Sequence, residues 1–587
     1  MAGKKKFDIF TMQLINNFLG SATDEMNRVV VRTSLSPITR DAHDFQCGLC
    51  MGDGEMIMEG DGTVLHSLVY PGLISEWLKE NRERTFPGDI IITNDPYSGA
   101  SHLPDVYLYR PIFVGDEIVA WSVSGGHQRD VGGMTPGSCP HNSTDIFQEG
   151  LRFSPLKLYE RGEPNETFFQ ILSCNSRAPD IVRADVGAHC GACIIGEQRF
   201  RELIDEYGWD TLKPYLDGLM DYAERLTRAE IEAMPDGTYE FIDYLDDDGN
   251  NPGIPVPIRL KITVEGDHID YDFTGTAPQV KGGMNNPLGS VRSAVMTAMR
   301  LMINPDIPRN GGAWRPVKVT VPEGTLFNPV LPGPVASRGG TAQRAADVLI
   351  GCQVPIRPEK MMACSSGQDT LVNIAAPDEN GDLFILMETV FGGWGGRLSG
   401  DGNEICSPPI TNNSKIPIES NENVYPDILY GQVALAPDTE GAGTYRGSMA
   451  VVREWQYVGK DESLVQIRVD RRDFGPYGVS GGHAGARLKA TVLSAGQADR
   501  DMGKSTFTLY PSDSLRIQSA GAGGWGDPLD RDPALVLDDV RNEKVSLGRA
   551  RKTYGVVIDE KTMEVDVKKT RSLRRRAKGR SSAPRRP

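Results

Sequence analysis

TNDPYSGASHLPDVYLYRPIFVGDEIVAWSVSGGHQRD, residues 93–130, holds the reading on which the fold turns. VYLYRPIFV and EIVAWSVS are rich in β-branched and aromatic residues and read as two strands. The preceding GDIIITNDP reads as a short buried strand that ends in a turn. These strands bracket the polar motifs. His102 and Asp105 stand three apart in SHLPD, where Pro104 forbids ordinary helix and a tight turn can aim both side chains inward. His127 lies in GGHQRD and Asp44 in DAHDFQC, both in polar or Gly-rich surroundings near expected strand ends. Imidazole with carboxylate is ligand chemistry for a borderline divalent ion such as Zn, Mn or Fe(II). On spacing alone the signal is weak, because a single histidine serves more often as a surface or core residue than as a ligand.

Outward from this stretch, apolar residues recur at helical spacing from Asp8 to about Thr33 (Ile9, Met12, Ile15, Phe18, Leu19), which predicts an amphipathic helix. A second helix is expected from Pro71 to Glu83, and residues 176–233 read as largely helical. From Gly237 to about Val321 the sequence turns strand-rich, with a helix near Ser290 to Met302. Gly, Pro and Asn punctuate the remainder, and no repeat of solenoid period is present. The fold class expected is α+β, multidomain, with β-rich mixed sheets and a helical segment. The divisions expected are an N-terminal metal-binding region (1–235), a β-rich central region (236–500), a C-terminal region (501–567) and a basic tail (568–587).

The chain has 587 residues, 24% of them charged, and a formal net charge of −16. The last twenty residues hold ten Lys or Arg and no acid, so the body before them is ten charges more negative still. A tail of that composition buries little apolar surface and is expected to be disordered. An acidic body argues against nucleic acid as the main partner. No apolar run reaches the length of a membrane helix, and the first twenty residues lack a signal peptide's apolar stretch, so a cytoplasmic protein without membrane attachment is expected. Nine cysteines suggest free thiols. The C-x-x-C pairs Cys47/Cys50 and Cys190/Cys193 could meet only through the fold.

No covalent nucleophile is visible: there is no G-x-S-x-G elbow and no convincing Cys–His pair. Gly-rich DVGGMTPGS (130–138) and GGWGG (392–396) lack the spacing of a phosphate loop, so the chain is not expected to bind ATP itself. Asn94 and Asp95 of NDPY either cap a turn or bind substrate. A water activated by a metal is the attacker that remains.

Several further stretches, FQEGLRFSPLKLYERG, GAGTYRGSMAVVREW, AGAGGWGDPLDRDP and VSLGRARKTYGVVID, stand in order with TNDPYSGASHLPDV and GGHQRDVGGMTPGS. Together they resemble the hydantoinase B family, which includes the metal-bearing subunits of ATP-dependent hydantoinases and lactamases, 5-oxoprolinase, and acetone and acetophenone carboxylases. The resemblance implies a metal held by His102, Asp105, His127 and Asp44. It implies an actin-like ATPase partner of the hydantoinase A type in a hetero-oligomer such as a heterotetramer, with ATP and Mg on that partner. The reaction it implies is opening of a hydantoin, oxoproline or other lactam after phosphorylation; the alternatives are ketone carboxylation and a non-catalytic scaffold. Asp130, three residues beyond His127, is the expected second carboxylate or general base, or else a holder of the Gly-Gly turn. His66, in TVLHSLVYP, falls where the family also has a histidine, in a catalytic or a structural role. Gln128 stands where many members have a second histidine.

Overall fold

A computed structural model describes residues 8–411 and 418–581. It divides the chain into two compact units, one of residues 8–243, 247–349 and 409–411, the other of 244–246, 350–408 and 418–581.

The first unit is organised by a seven-stranded antiparallel sheet: β1 (Phe45–Met51), β2 (Met56–Glu59), β3 (Ile90–Thr93), β4 (Asp105–Val114), β5 (Glu117–His127), β6 (Leu156–Glu160) and β7 (Glu163–Pro164). Their order across the sheet is β2-β1-β5-β4-β3-β6-β7. Nearly every residue of β1 to β5 is buried, because both faces are covered. On one face the helix Ile9–Thr33 lays Ile15, Leu19 and Ala22 against Leu49, Ile112 and Ala120, together with Phe200 and Leu203 of the helix Pro179–Tyr207. On the other, Tyr70, Leu73, Ile74 and Trp77 of the helix Tyr70–Asn81 meet Tyr107, Tyr109 and Trp121. Asp8 caps the first helix, accepting from Thr11 N at 3.0 Å.

The hairpin β4–β5 sets the register that matters. Its turn, Gly115–Asp116, uses Gly115 at φ +59, a conformation that costs glycine nothing. An irregularity between Ile112 and Phe113 then offsets the ladder, and from Ile112↔Ala120 the pairing runs unbroken to Asp105↔His127. Since side chains alternate with period two, a slip of one residue would put Gly126 opposite Asp105 and turn the His127 ring to the other face.

A four-stranded sheet, Gly237–Leu245, Val256–Glu265, His268–Asp272 and Val317–Thr320, follows. The helix Leu288–Met302 agrees with its expected place. The helix Arg338–Gln353 was not legible: Arg338, Thr341, Gln343, Arg344, Asp347 and Gln353 are all buried, so no apolar stripe marks it.

In the second unit a four-stranded and a five-stranded antiparallel sheet share one core, in which Val372, Ile374, Val465 and Ile467 of the first meet Trp455, Leu515 and Ile517 of the second. The mixed helices and several sheets are those of an α+β chain. One expectation fails: residues 567–581 form a helix instead of a disordered tail. Arg574 donates to Tyr554 O (3.0 Å) and Arg531 O (2.6 Å), and Thr570 Oγ1 accepts from Val557 N. Those few contacts dock a helix whose average composition is strongly basic. Residues 582–587 of that tail lie outside the described residues.

Candidate metal centre

The last residue of β5 and the first of β4 face each other, and from that pairing the cluster is built. Pro104 and the turn before it let Asp105 N donate to His102 O at 2.9 Å, which folds His102 back over the strand end. His102 Nε2, Asp105 Oδ1 and His127 Nδ1 then lie 3.0 Å, 3.1 Å and 3.1 Å from one another. They form the group of three donors that could hold a metal ion among the described residues. All three residues are at most 5% exposed. Gly126 allows the close approach that closes the site: a Cβ there would stand 2.5 Å from Asp44 O, the atom that accepts from His127 N at 3.0 Å.

The donor set fits a divalent ion on two counts. Two bonds of about 2.1 Å span about 3.0 Å at an octahedral right angle and about 3.4 Å at the tetrahedral angle, so donors 3.0 to 3.1 Å apart are close enough to share one ion. In addition His102 Nδ1–H donates to Ala336 O at 2.8 Å, which fixes the tautomer and leaves the Nε2 lone pair facing the cluster. Asp105 uses its second oxygen, Oδ2, to accept from Ser101 Oγ and from the guanidinium of Arg338. Burial works against its charge, but Arg338 and the neighbouring histidines outweigh burial and hold the carboxyl well below the usual range. Burial pushes His102 down to about 4, whereas hydrogen bonding to Asp105 and Cys139 overcomes burial at His127 and lifts it to about 10.

Beside these three lies a second chain of polar groups. His66 Nε2–H donates to Asp44 Oδ1 at 3.2 Å, and its Nδ1 accepts from the Tyr107 hydroxyl at 2.8 Å. His43 just upstream has φ +57, a left-handed turn that carries the chain into β1. Asp44 is not one of the three mutually close donors, yet His127 and Asp105 act on its charge, so it stands against the same cluster. Its side chain is 18% exposed, the most open of the group.

The other expected residues are engaged elsewhere. Asp130 accepts from Gly132 N, Gly137 N, Arg177 N and Arg177 Nη1, at 2.9 to 3.0 Å. Four bonds commit its carboxylate to the Gly-rich loop after β5. Asn94 donates to Leu103 O and Leu151 O and accepts from Phe153 N. Asp95 caps the turn at Tyr97 and is bound by Ser98, Ser154 and Arg152. Their neighbours Pro96 and Tyr97, with Leu288, Asn328 and Leu331, instead line a cavity of about 370 Å3.

Three contributors escaped the sequence reading: Tyr107, Arg338 and Glu149. Glu149 is fully buried and accepts from Val335 N and Ala336 N, 2.9 Å each, and from Ser143 Oγ at 2.6 Å. It therefore holds the peptide that orients His102. Burial raises it to about 8 despite these bonds. Three residues apart on a strand, Cys47 and Cys50 point to opposite faces, where they join separate apolar clusters, while Cys190 and Cys193 are buried together in a third apolar cluster on the helix Pro179–Tyr207. None of the nine cysteines is in a disulfide.

The profile of the family Hydantoinase B/oxoprolinase matches residues 8–528. A protein of Pseudomonas sp. (strain NS671), named as a subunit of a D-/L-hydantoinase, is 32% identical over 97% of this chain and 98% of its own length. The crystal structure of ATP-dependent caprolactamase from Pseudomonas jessenii superposes with a TM-score of 0.88 at 28% identity, over 97% of this chain and 100% of that one. An acetone carboxylase structure shares the fold, with a TM-score of 0.91 at 17% identity, over 98% of this chain and 84% of that one.

Proposed function

The chain belongs to the hydantoinase B/oxoprolinase family, and on that basis we propose that it is the metal-dependent subunit of an ATP-dependent amidohydrolase that opens a cyclic amide: a hydantoin, 5-oxoproline or another lactam. The observation that carries the reading is the buried triangle of His102, Asp105 and His127, built by one hairpin and supported by Arg338 and Ala336. The names of the relatives support a cyclic amide as substrate and a second subunit as partner.

In this reading a hydantoinase A-like ATPase subunit phosphorylates the amide oxygen. That removes the resonance that protects the amide and turns the oxygen into a leaving group. Water then adds to the carbon that bears the phosphoryl oxygen, the ring nitrogen takes up a proton as the C–N bond breaks, and the acyl phosphate left behind gives up inorganic phosphate to a second water to leave the carboxylate. His102, Asp105 and His127 would hold a divalent ion, with Asp44, whose carboxylate is shared with His66, as the fourth ligand. An ion held there would supply Lewis acidity for a substrate oxygen and a lowered pKa for water. His66, set between Asp44 and Tyr107, relays through Asp44 the proton taken from the water on its way to the ring nitrogen. Asp130 positions the loop after β5, and Asn94 and Asp95 shape the turn that leads into the HLPD segment.

The test is elemental analysis of the purified chain and its His127→Ala variant, followed by turnover with the co-purified ATPase subunit on hydantoins, lactams, and ketones with bicarbonate. About one Zn, Mn or Fe per chain that disappears in the variant, with ring opening of one cyclic amide class, is the expected result. A chain that carries no transition metal in either form overturns the reading, and turnover of a ketone alone replaces the hydrolase with a carboxylase.

A further inference from the structure

Arg338 opens the sixteen-residue helix Arg338–Gln353, and its side chain is only 5% exposed. One guanidinium nitrogen, Nη2, donates to Asp105 Oδ2, while the opposite oxygen of the same carboxylate faces His102 and His127. The guanidinium therefore lies one carboxylate away from the point that the three donors share. A guanidinium carries five N–H donors in a fixed fork. Among the described residues the bond to Asp105 is the one that Arg338 makes, and its Nε is buried with no partner. A buried donor left unpaired costs free energy, and an acceptor placed at it, such as a bound anion, recovers that cost. The second feature is the place of the helix start: Ala336, two residues before Arg338, accepts from His102 Nδ1, so the N-terminus of the helix lies beside the cluster, and a helix N-terminus favours an anion.

We propose that Arg338 is the anion-recognising residue of this centre, and that the unpaired edge of its guanidinium binds a phosphoryl group beside the metal donors. The ligand chemistry is a tetrahedral oxyanion with at least two oxygens for the fork. Two sources share that chemistry, the phosphoryl group of the activated substrate and free inorganic phosphate after ring opening. The identity of the anion rests on the function proposed above; the binding of phosphate does not.

The experiment is calorimetric titration of inorganic phosphate into the full metal-loaded chain, wild type beside Arg338→Lys and Arg338→Gln, with metal content measured on the same samples. Arg338→Gln is expected to weaken phosphate at least tenfold with metal content unchanged. Arg338→Lys, which keeps the charge and the contact with Asp105 but not the fork, is expected to weaken it severalfold. If Arg338→Gln loses its metal or its fold, Arg338→Lys decides: metal retained with weakened phosphate upholds the inference, and phosphate affinity within twofold of wild type overturns it. Turnover with the ATPase subunit separates the sources. Should Arg338→Lys consume ATP without matching ring opening, the residue holds the activated substrate. Should coupling stay intact while inhibition by phosphate weakens, it holds the product. Absence of turnover on every cyclic amide would sink the proposed function and leave the titration standing.

Discussion

Two regions of this chain depend on glycine, and they use it for opposite ends. At the hairpin end, Gly126 lets the strand preceding it lie close to Asp44 so that side chains of β4 and β5 can meet in a cluster. In the second unit the segments 392–396, 441–447, 478–485 and 521–526 approach so closely that side chains are excluded. A Cβ at Gly521 would stand 1.8 Å from Thr439 O, and one at Gly523 would stand 1.9 Å from Tyr477 O. There the backbone bonds to itself: Gly523 N donates to Cys364 O, Gly396 N to Gly523 O, and Gly524 N to His483 O, at 2.8 to 3.0 Å. The motifs that look most like a ligand cradle in the sequence, GGWGG and GAGGWGDP, are thus framework. The less conspicuous HLPD supplies two of the three donors that could hold a metal ion.

If that contrast is right, Gly523→Ala does the greatest damage. The carbonyl it meets is backbone and has nowhere to move, so a loss of more than about 3 kcal/mol is expected, read as failure to fold or as a large drop in the denaturation midpoint. His127→Ala, in comparison, should keep its midpoint within about 1 kcal/mol of wild type. Equal tolerance of the two substitutions would end the distinction.

The next effect is on pH. Glu149 has a folded pKa of about 8, above its ordinary 4.5. The folded state therefore binds more protons between those values, and wild-type stability falls as pH rises through that window and levels off above it. Glu149→Gln cannot titrate but can still accept from Val335 and Ala336, so its midpoint should gain on wild type from pH 5 to 8, by up to about 1.4 kcal/mol per pH unit. Parallel midpoints across that range would show that the carboxyl is ionised when folded, and that the support of His102 is a charged one.

The smallest effect is expected from Tyr107→Phe. It removes a neutral hydrogen bond to His66 and should lower stability by about 1 kcal/mol, with metal content intact. A loss of metal in this variant would show that the Asp44–His66–Tyr107 chain and the three donors form one unit.

The hairpin and the HLPD and GGH motifs were legible because strand pattern, turn and donors lie within one short stretch. The helix Ile9–Thr33 was legible because its apolar residues keep helical spacing. Arg338 and Glu149 were not, since each acts on partners 233 and 186 residues away, in segments without periodicity. Asn94 and Asp95 show a different limit: the amide and carboxylate that bind a substrate are the same groups that close a turn, and only their three-dimensional partners tell the two apart. The tail misled through averaging, since Thr570 and Arg574 dock a helix whose other residues are nearly all basic or small.

The hairpin also reaches into how the molecule is made. Asp105 and His127 are 22 residues apart, whereas His102 and its anchor at Ala336 are 234 apart. Closing the longer loop costs about 2 kcal/mol more chain entropy, and on the ribosome it must wait until some two hundred further residues have emerged. The donors are in place long before the helix that brings Arg338, so the nascent chain presents a half-built cluster to the metals of the cell. On the function proposed above, the choice of ion would then begin during synthesis, before the site is finished.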